Sequence, residues 1–62
     1  MDTYRMSCRA RSIHEFLLTA DTLHIHGMDG GVFMRNAEQE FKALAQLWGF
    51  RLVPLTEQKE AA

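Results

Sequence analysis

A single cysteine, Cys8, is the feature that most constrains what this chain of 62 residues can fold into. One thiol cannot form an internal disulfide, so the fold must depend on the burial of its apolar side chains. A chain this short buries only about 60% of the surface that it exposes when unfolded, and we expect it to be marginally stable as a monomer. A lone cysteine also suits a reducing compartment, so we expect a cytoplasmic protein.

The composition is that of a folded domain. Hydrophobic residues make up 47% of the chain and the formal net charge is −1, whereas disordered chains have fewer apolar residues and more net charge. No run of large apolar residues is longer than the three of Phe16-Leu17-Leu18, which is too short for a signal peptide or a membrane span. We predict one domain over residues 1–55 and a flexible tail over residues 56–62.

The clearest predicted element is a helix at about residues 37–48. Its apolar residues recur at helical spacing and form one stripe, namely Ala37, Phe41, Leu44, Ala45 and Trp48. Asn36 is expected to cap the start of this helix, and Gly49 to end it in a left-handed conformation. Glu38 and Lys42 lie one turn apart, so they are expected to form an ion pair.

A shorter helix is predicted at residues 13–20. Residues 12–15 have the pattern of a capping box, and Ile13, Phe16, Leu17 and Ala20 follow at helical spacing. Because so short a helix is weak alone, its stability must come from packing. A strand over residues 15–19 is the alternative.

The remaining segments are predicted to be strands. Apolar and polar residues alternate over residues 4–8 and 23–28, which is typical of half-buried strands. Asp29-Gly30 is the dipeptide that a type I′ turn prefers, so residues 23–35 are expected to form a β-hairpin. Residues 51–55 favour a last strand at a sheet edge, because Pro54 cannot donate a ladder hydrogen bond.

The predicted order is strand, helix, strand, strand, helix, strand, as in ferredoxin-like folds. We therefore predict the α+β class. The expected architecture is a small two-layer sandwich in which two helices cover one face of an antiparallel sheet. If the first strand does not form, an α-β-β-α-β sandwich is the alternative.

The candidate functional residues are predicted to share the opposite, uncovered face of that sheet. They are three arginines, two histidines and one phenylalanine: Arg5, Arg9, His24, His26, Phe33 and Arg35. An exposed aromatic ring among arginines is typical of protein interfaces and also of sheets that bind RNA. A solvated face without a specific role is the third interpretation.

No residue pattern indicates catalysis or a bound metal. His24 and His26 would lie on the same side of a strand, but structural zinc sites usually have four ligands. Cys8 and His14 are too loosely spaced to indicate a nucleophile and its base. We predict no enzyme activity, no cofactor and no metal.

These observations favour a small interaction module that acts through protein–protein contact and forms a homodimer through the exposed sheet face. A nucleic-acid or anionic-ligand binder that uses the arginines and Phe33 is the alternative. Metal binding through His24 and His26 is a third hypothesis. No membrane association is expected.

Overall fold

The computed structural model of the protein describes residues 1–56, which form a hairpin of two helices. Helix α1 spans Thr3–Ile25 and helix α2 spans Gly31–Trp48. No strand occurs among the described residues, so the predicted α+β sandwich and its α-β-β-α-β alternative are both wrong. Of the tail predicted over residues 56–62, all but the first residue lies outside the described part of the chain.

Helix α1 contains the predicted short helix and extends it in both directions. The Asp2 carboxylate accepts a hydrogen bond from the Arg5 amide at 3.0 Å and caps the helix, whereas the predicted cap Ser12 lies in the interior. The strand predicted over residues 4–8 is therefore wrong. The alternation of apolar and polar residues over this segment is part of a longer helical pattern, in which the residues that face α2 recur every three or four positions from Met6 to Leu23.

Helix α2 confirms the predicted helix over residues 37–48 but begins earlier, at Gly31. Asn36 consequently lies inside the helix and does not cap it. Gly49 ends the helix with φ +94°, the left-handed conformation that was predicted. The predicted pair of Glu38 and Lys42 is also confirmed, with 3.8 Å between the carboxylate and the ammonium group.

The chain reverses at Gly27 and not at the predicted Asp29-Gly30 turn. Gly27 has φ +71°, and the Met28 amide donates to the Leu23 carbonyl at 2.8 Å, which closes α1 in a Schellman motif. The Asp29 carboxylate accepts a hydrogen bond of 2.8 Å from the first amide of α2. The β-hairpin predicted over residues 23–35 is wrong, because these residues end one helix and begin the next.

The two helices pack along a seam whose residues are spaced alternately three and four apart, as in antiparallel coiled coils. The seam positions of α1 are Met6, Arg9, Ile13, Phe16, Ala20 and Leu23. Those of α2 and its N-cap are Gly30, Phe33, Ala37, Glu40, Leu44 and Leu47.

Two side-chain contacts set the register of this seam. Arg9 forms an ion pair with Glu40 at 2.8 Å, and the rings of Phe16 and Phe33 lie 6.4 Å apart between centroids. Arg9 precedes Phe16 along α1, whereas its partner Glu40 follows Phe33 along α2. The helices are therefore antiparallel and in one continuous register.

The helices approach each other closely beside the connection, where Gly30 meets Ala20. A Cβ atom added to Gly30 would lie 3.0 Å from the Cα of Ala20 and 3.0 Å from Nε2 of His24. Ala20 itself is only 1% exposed. The absence of a side chain at Gly30 thus permits the contact, since a backbone atom cannot move aside as a side chain can.

We expect Gly30→Ala to destabilise the hairpin by about 1–3 kcal/mol, because the added methyl group must push α1 and α2 apart. Urea unfolding at one fixed protein concentration measures this change. Gly31→Ala is the matched control, since its Cβ would meet only the ends of flexible side chains, Asp29 at 3.1 Å and Arg35 at 3.4 Å. Equal stability of the Gly30→Ala variant and the unsubstituted chain would contradict the close packing described here.

Candidate protein-binding surface

The six residues predicted to share one sheet face are not brought together on one surface. Phe33 packs against Phe16 on the seam, and Arg9 is held by Glu40. Arg5 is exposed in the first turns of α1. The sheet on which the predicted homodimer contact and the nucleic-acid alternative both relied is absent from the described residues.

The other three predicted residues lie near the connection. His24 is in the last turn of α1, His26 is its C-cap and Arg35 is exposed on α2. Residues two apart on a helix point about 200° apart, so the strand geometry that would align the two imidazoles does not exist. The part of the chain that is described holds no group of three or more His, Cys, Asp or Glu placed to bind a metal ion.

The structure instead reveals an apolar surface that is left half exposed by the described residues. On one side of the seam, each helix carries apolar residues seven positions apart, and we call this surface the open face: Ala10, Leu17, Met34, Phe41 and Trp48. The exposed fractions of its large residues are 42% for Leu17, 46% for Met34, 50% for Phe41 and 54% for Trp48. These side chains are half in contact with the hairpin and half in water.

Two shallow grooves run along the open face. The first is lined by Ile13, Leu17, Met34, Ala37, Glu38 and Phe41. The second lies nearer the outer ends of the helices and includes Met6, Ala10, Leu44 and Trp48. Glu38 is the only charged residue in either set, so the open face offers hydrophobic contact and few hydrogen bonds.

The opposite side of the hairpin is polar. One depression on this side is lined by Arg5, Cys8, Arg9 and Ser12. A second is lined by Arg5, Arg9, Ala43, Gln46 and Leu47. Cys8 is exposed here. The hairpin is therefore amphipathic as a whole, because one of its faces is polar and the other is apolar.

Three charged or titratable residues border the open face at its outer edges. His14 and Asp21 lie on α1, one turn before and one turn after Leu17, and Glu38 lies on α2 between Met34 and Phe41. All three are exposed. An apolar centre with a polar border is the usual anatomy of a protein interface.

The sequence did contain a signal for this surface. Met34, Phe41 and Trp48 recur every seven residues, a period that reveals one face of a helix. Met34 was assigned to a strand, which hid the first member of the series.

No family model, curated protein or solved structure matches this chain. Neither α1 nor α2 combines the length and the apolar character that crossing a bilayer requires, within the described residues.

The ion pair of Arg9 with Glu40 offers a test of the seam, because it joins α1 to α2 on the polar side. We expect Glu40→Ala to lower the unfolding free energy by about 1 kcal/mol, since Arg9 then lacks its partner in a partly buried position. Replacing both residues with Leu should recover or exceed the original stability. A double-mutant cycle from urea unfolding measures the coupling, and a coupling of zero would contradict the pairing.

Proposed function

We propose that the chain is a protein–protein interaction module that forms a homodimer through the open face. The observation that supports this proposal is the apolar surface of Leu17, Met34, Phe41 and Trp48, which remains half exposed in the single chain. The contact that was first assigned to a sheet face is thus assigned to a helical one.

The thin core of the hairpin gives the physical motive. Only five described residues are buried, and four of them are alanine or glycine: Met6, Ala20, Gly30, Ala37 and Ala45. No large side chain in the described range is fully buried. Burial of a large apolar side chain supplies about 1.5–3 kcal/mol, so a chain that buries almost none gains little from folding alone.

A second copy is the partner whose shape and chemistry match this surface. The open face is about 27 Å long, from 18 residues of α2 at 1.5 Å each, and two helix diameters of about 10 Å make it about 20 Å wide. Its projected area of about 540 Å² is similar to the roughly 800 Å² of accessible surface that each partner buries in stable complexes.

Face-to-face pairing of two hairpins forms a four-helix bundle. In such a contact the same patch serves both subunits, so every apolar residue meets an apolar surface. The bundle encloses the grooves of both copies in one core while the arginine-bearing faces stay in water. A small chain thereby acquires a core that it cannot build alone.

Phe41→Glu is expected to convert the dimer to a monomer, because it places two carboxylates at the centre of the apolar contact. Sedimentation velocity at about 100 µM protein measures the mass of the species. The unsubstituted chain should sediment at twice the mass of the variant. Circular dichroism of both samples reports how much helix the monomer retains.

Leu18→Glu is the matched control. Leu18 is 56% exposed, as much as the residues of the open face, but it points away from that face on the outer side of α1. This variant should remain dimeric. A monomeric unsubstituted chain at 100 µM, or loss of the dimer in both variants alike, would overturn the proposal.

A further inference from the structure

We infer that the two hairpins pair with their connections at the same end, so that α1 of one copy lies over α2 of the other. This inference rests on the proposed homodimer and adds its orientation. It follows from how large, small and charged residues are distributed over the open face.

The apolar residues of the open face form rows that cross the hairpin. The register set by Arg9 with Glu40 and by Phe16 with Phe33 places Phe41 at the level of Ala10. In the same register, Trp48 lies at the level of Thr3, and Met34 lies at the level of Leu17. Two of the three rows therefore combine a large side chain on α2 with a small one on α1.

Same-end pairing matches these sizes across the interface. A half-turn about an axis parallel to the helices places α1 of the second copy over α2 of the first, without a change of level. Phe41 then faces Ala10 of the second copy, and Trp48 faces its Thr3. Large residues against small ones fill a helical core without voids.

The charged border of the open face distinguishes the two possible orientations. His14 on the outer edge of α1 and Glu38 on the outer edge of α2 lie at similar levels in the hairpin register. Same-end pairing brings His14 over Glu38 of the second copy, and symmetry produces this contact twice. The imidazole can donate a hydrogen bond to the carboxylate and is attracted to it when protonated.

Asp21 provides a second electrostatic attraction that also favours same-end pairing. It lies on the outer edge of α1, at the level where α2 begins with Gly31. Same-end pairing places its carboxylate beside the N-terminus of α2 of the second copy. Unpaired amides and the helix dipole make that end of a helix favourable for a negative charge.

In the registers that overlap most of both helices, opposite-end pairing loses these attractions. It stacks α1 on α1 and α2 on α2, with one copy reversed. In a first register, Glu38 meets Ala45 of the second copy and His14 meets its Ser7. In a second register, Glu38 meets Glu38 of the second copy and His14 meets its His14. The first register pairs no charges and the second opposes like charges, which destabilises a contact.

Spin-label distances test the orientation directly. In a Cys8→Ser background, Met28→Cys places one nitroxide on the connection, at a residue that is 58% exposed. Same-end pairing predicts label separations of about 20 Å, the width of a four-helix bundle. Opposite-end pairing predicts separations of about 35 Å or more, because the labels would lie at the two ends of a bundle as long as the 23 residues of α1.

The outcomes separate the inference from the proposal on which it rests. A dimer with short label distances supports both. A dimer with distances of about 35 Å or more overturns the orientation but leaves the homodimer in place. A sample that is monomeric by sedimentation overturns both.

A charge exchange provides an independent readout in solution. His14→Glu alone should weaken dimerisation about three- to tenfold, because it opposes two pairs of carboxylates across the interface. Glu38→Lys combined with His14→Glu should restore most of the affinity, since each new Glu then faces a Lys. Additive losses in the double variant would contradict the contact between His14 and Glu38 of the second copy.

Discussion

Two helices share only one seam, and this constraint governs the rest of the structure. Each helix here carries an apolar stripe wider than the seam can cover. The residues at the centre of the stripe pack between the helices, while the adjacent ones, such as Phe41 and Trp48, remain half exposed. A larger protein would cover that remainder with a third element, and the described part of this chain has none.

The composition of the seam strengthens this effect. Small residues, Ala20 and Gly30, meet near the connection and allow the backbones to approach closely. One polar pair, Arg9 with Glu40, occupies positions that apolar side chains would otherwise fill. The seam consequently sets the register and the distance between the helices but buries little apolar surface. In the proposed homodimer, most of the energetic gain from folding comes from covering the open face.

The sequence predicted the parts of the fold that have strong local signals. The stripe over residues 37–48 and the stop at Gly49 were both confirmed, as was helical structure at residues 13–20. The sheet was predicted wrongly because local patterns were ambiguous. Arg9 interrupts the apolar spacing at the start of α1, which left a short alternation that resembles a strand, and Asp29-Gly30 resembles a hairpin turn although Gly27 reverses the chain.

The candidate surface consists of other residues than those that the sequence analysis named. Contact through an exposed aromatic face was expected, yet Phe33 packs on the seam and Phe41 stands on the surface. Assigning residues 31–35 to a strand gave those side chains a period of two, whereas the helix gives them a period of 3.6. An error in secondary structure therefore changed which residues share a face, although the composition of the chain was interpreted correctly.

The dependence of thermal unfolding on protein concentration tests most directly whether the open face must be covered for the hairpin to be stable. For a dimer of 62-residue chains that unfolds to monomers, an unfolding enthalpy of about 0.7 kcal/mol per residue implies that Tm rises by about 5–6 °C for each tenfold increase in concentration. We predict that rise between about 1 µM and 1 mM. A Tm that stays constant over this range would show that the single hairpin is stable alone and would contradict the account.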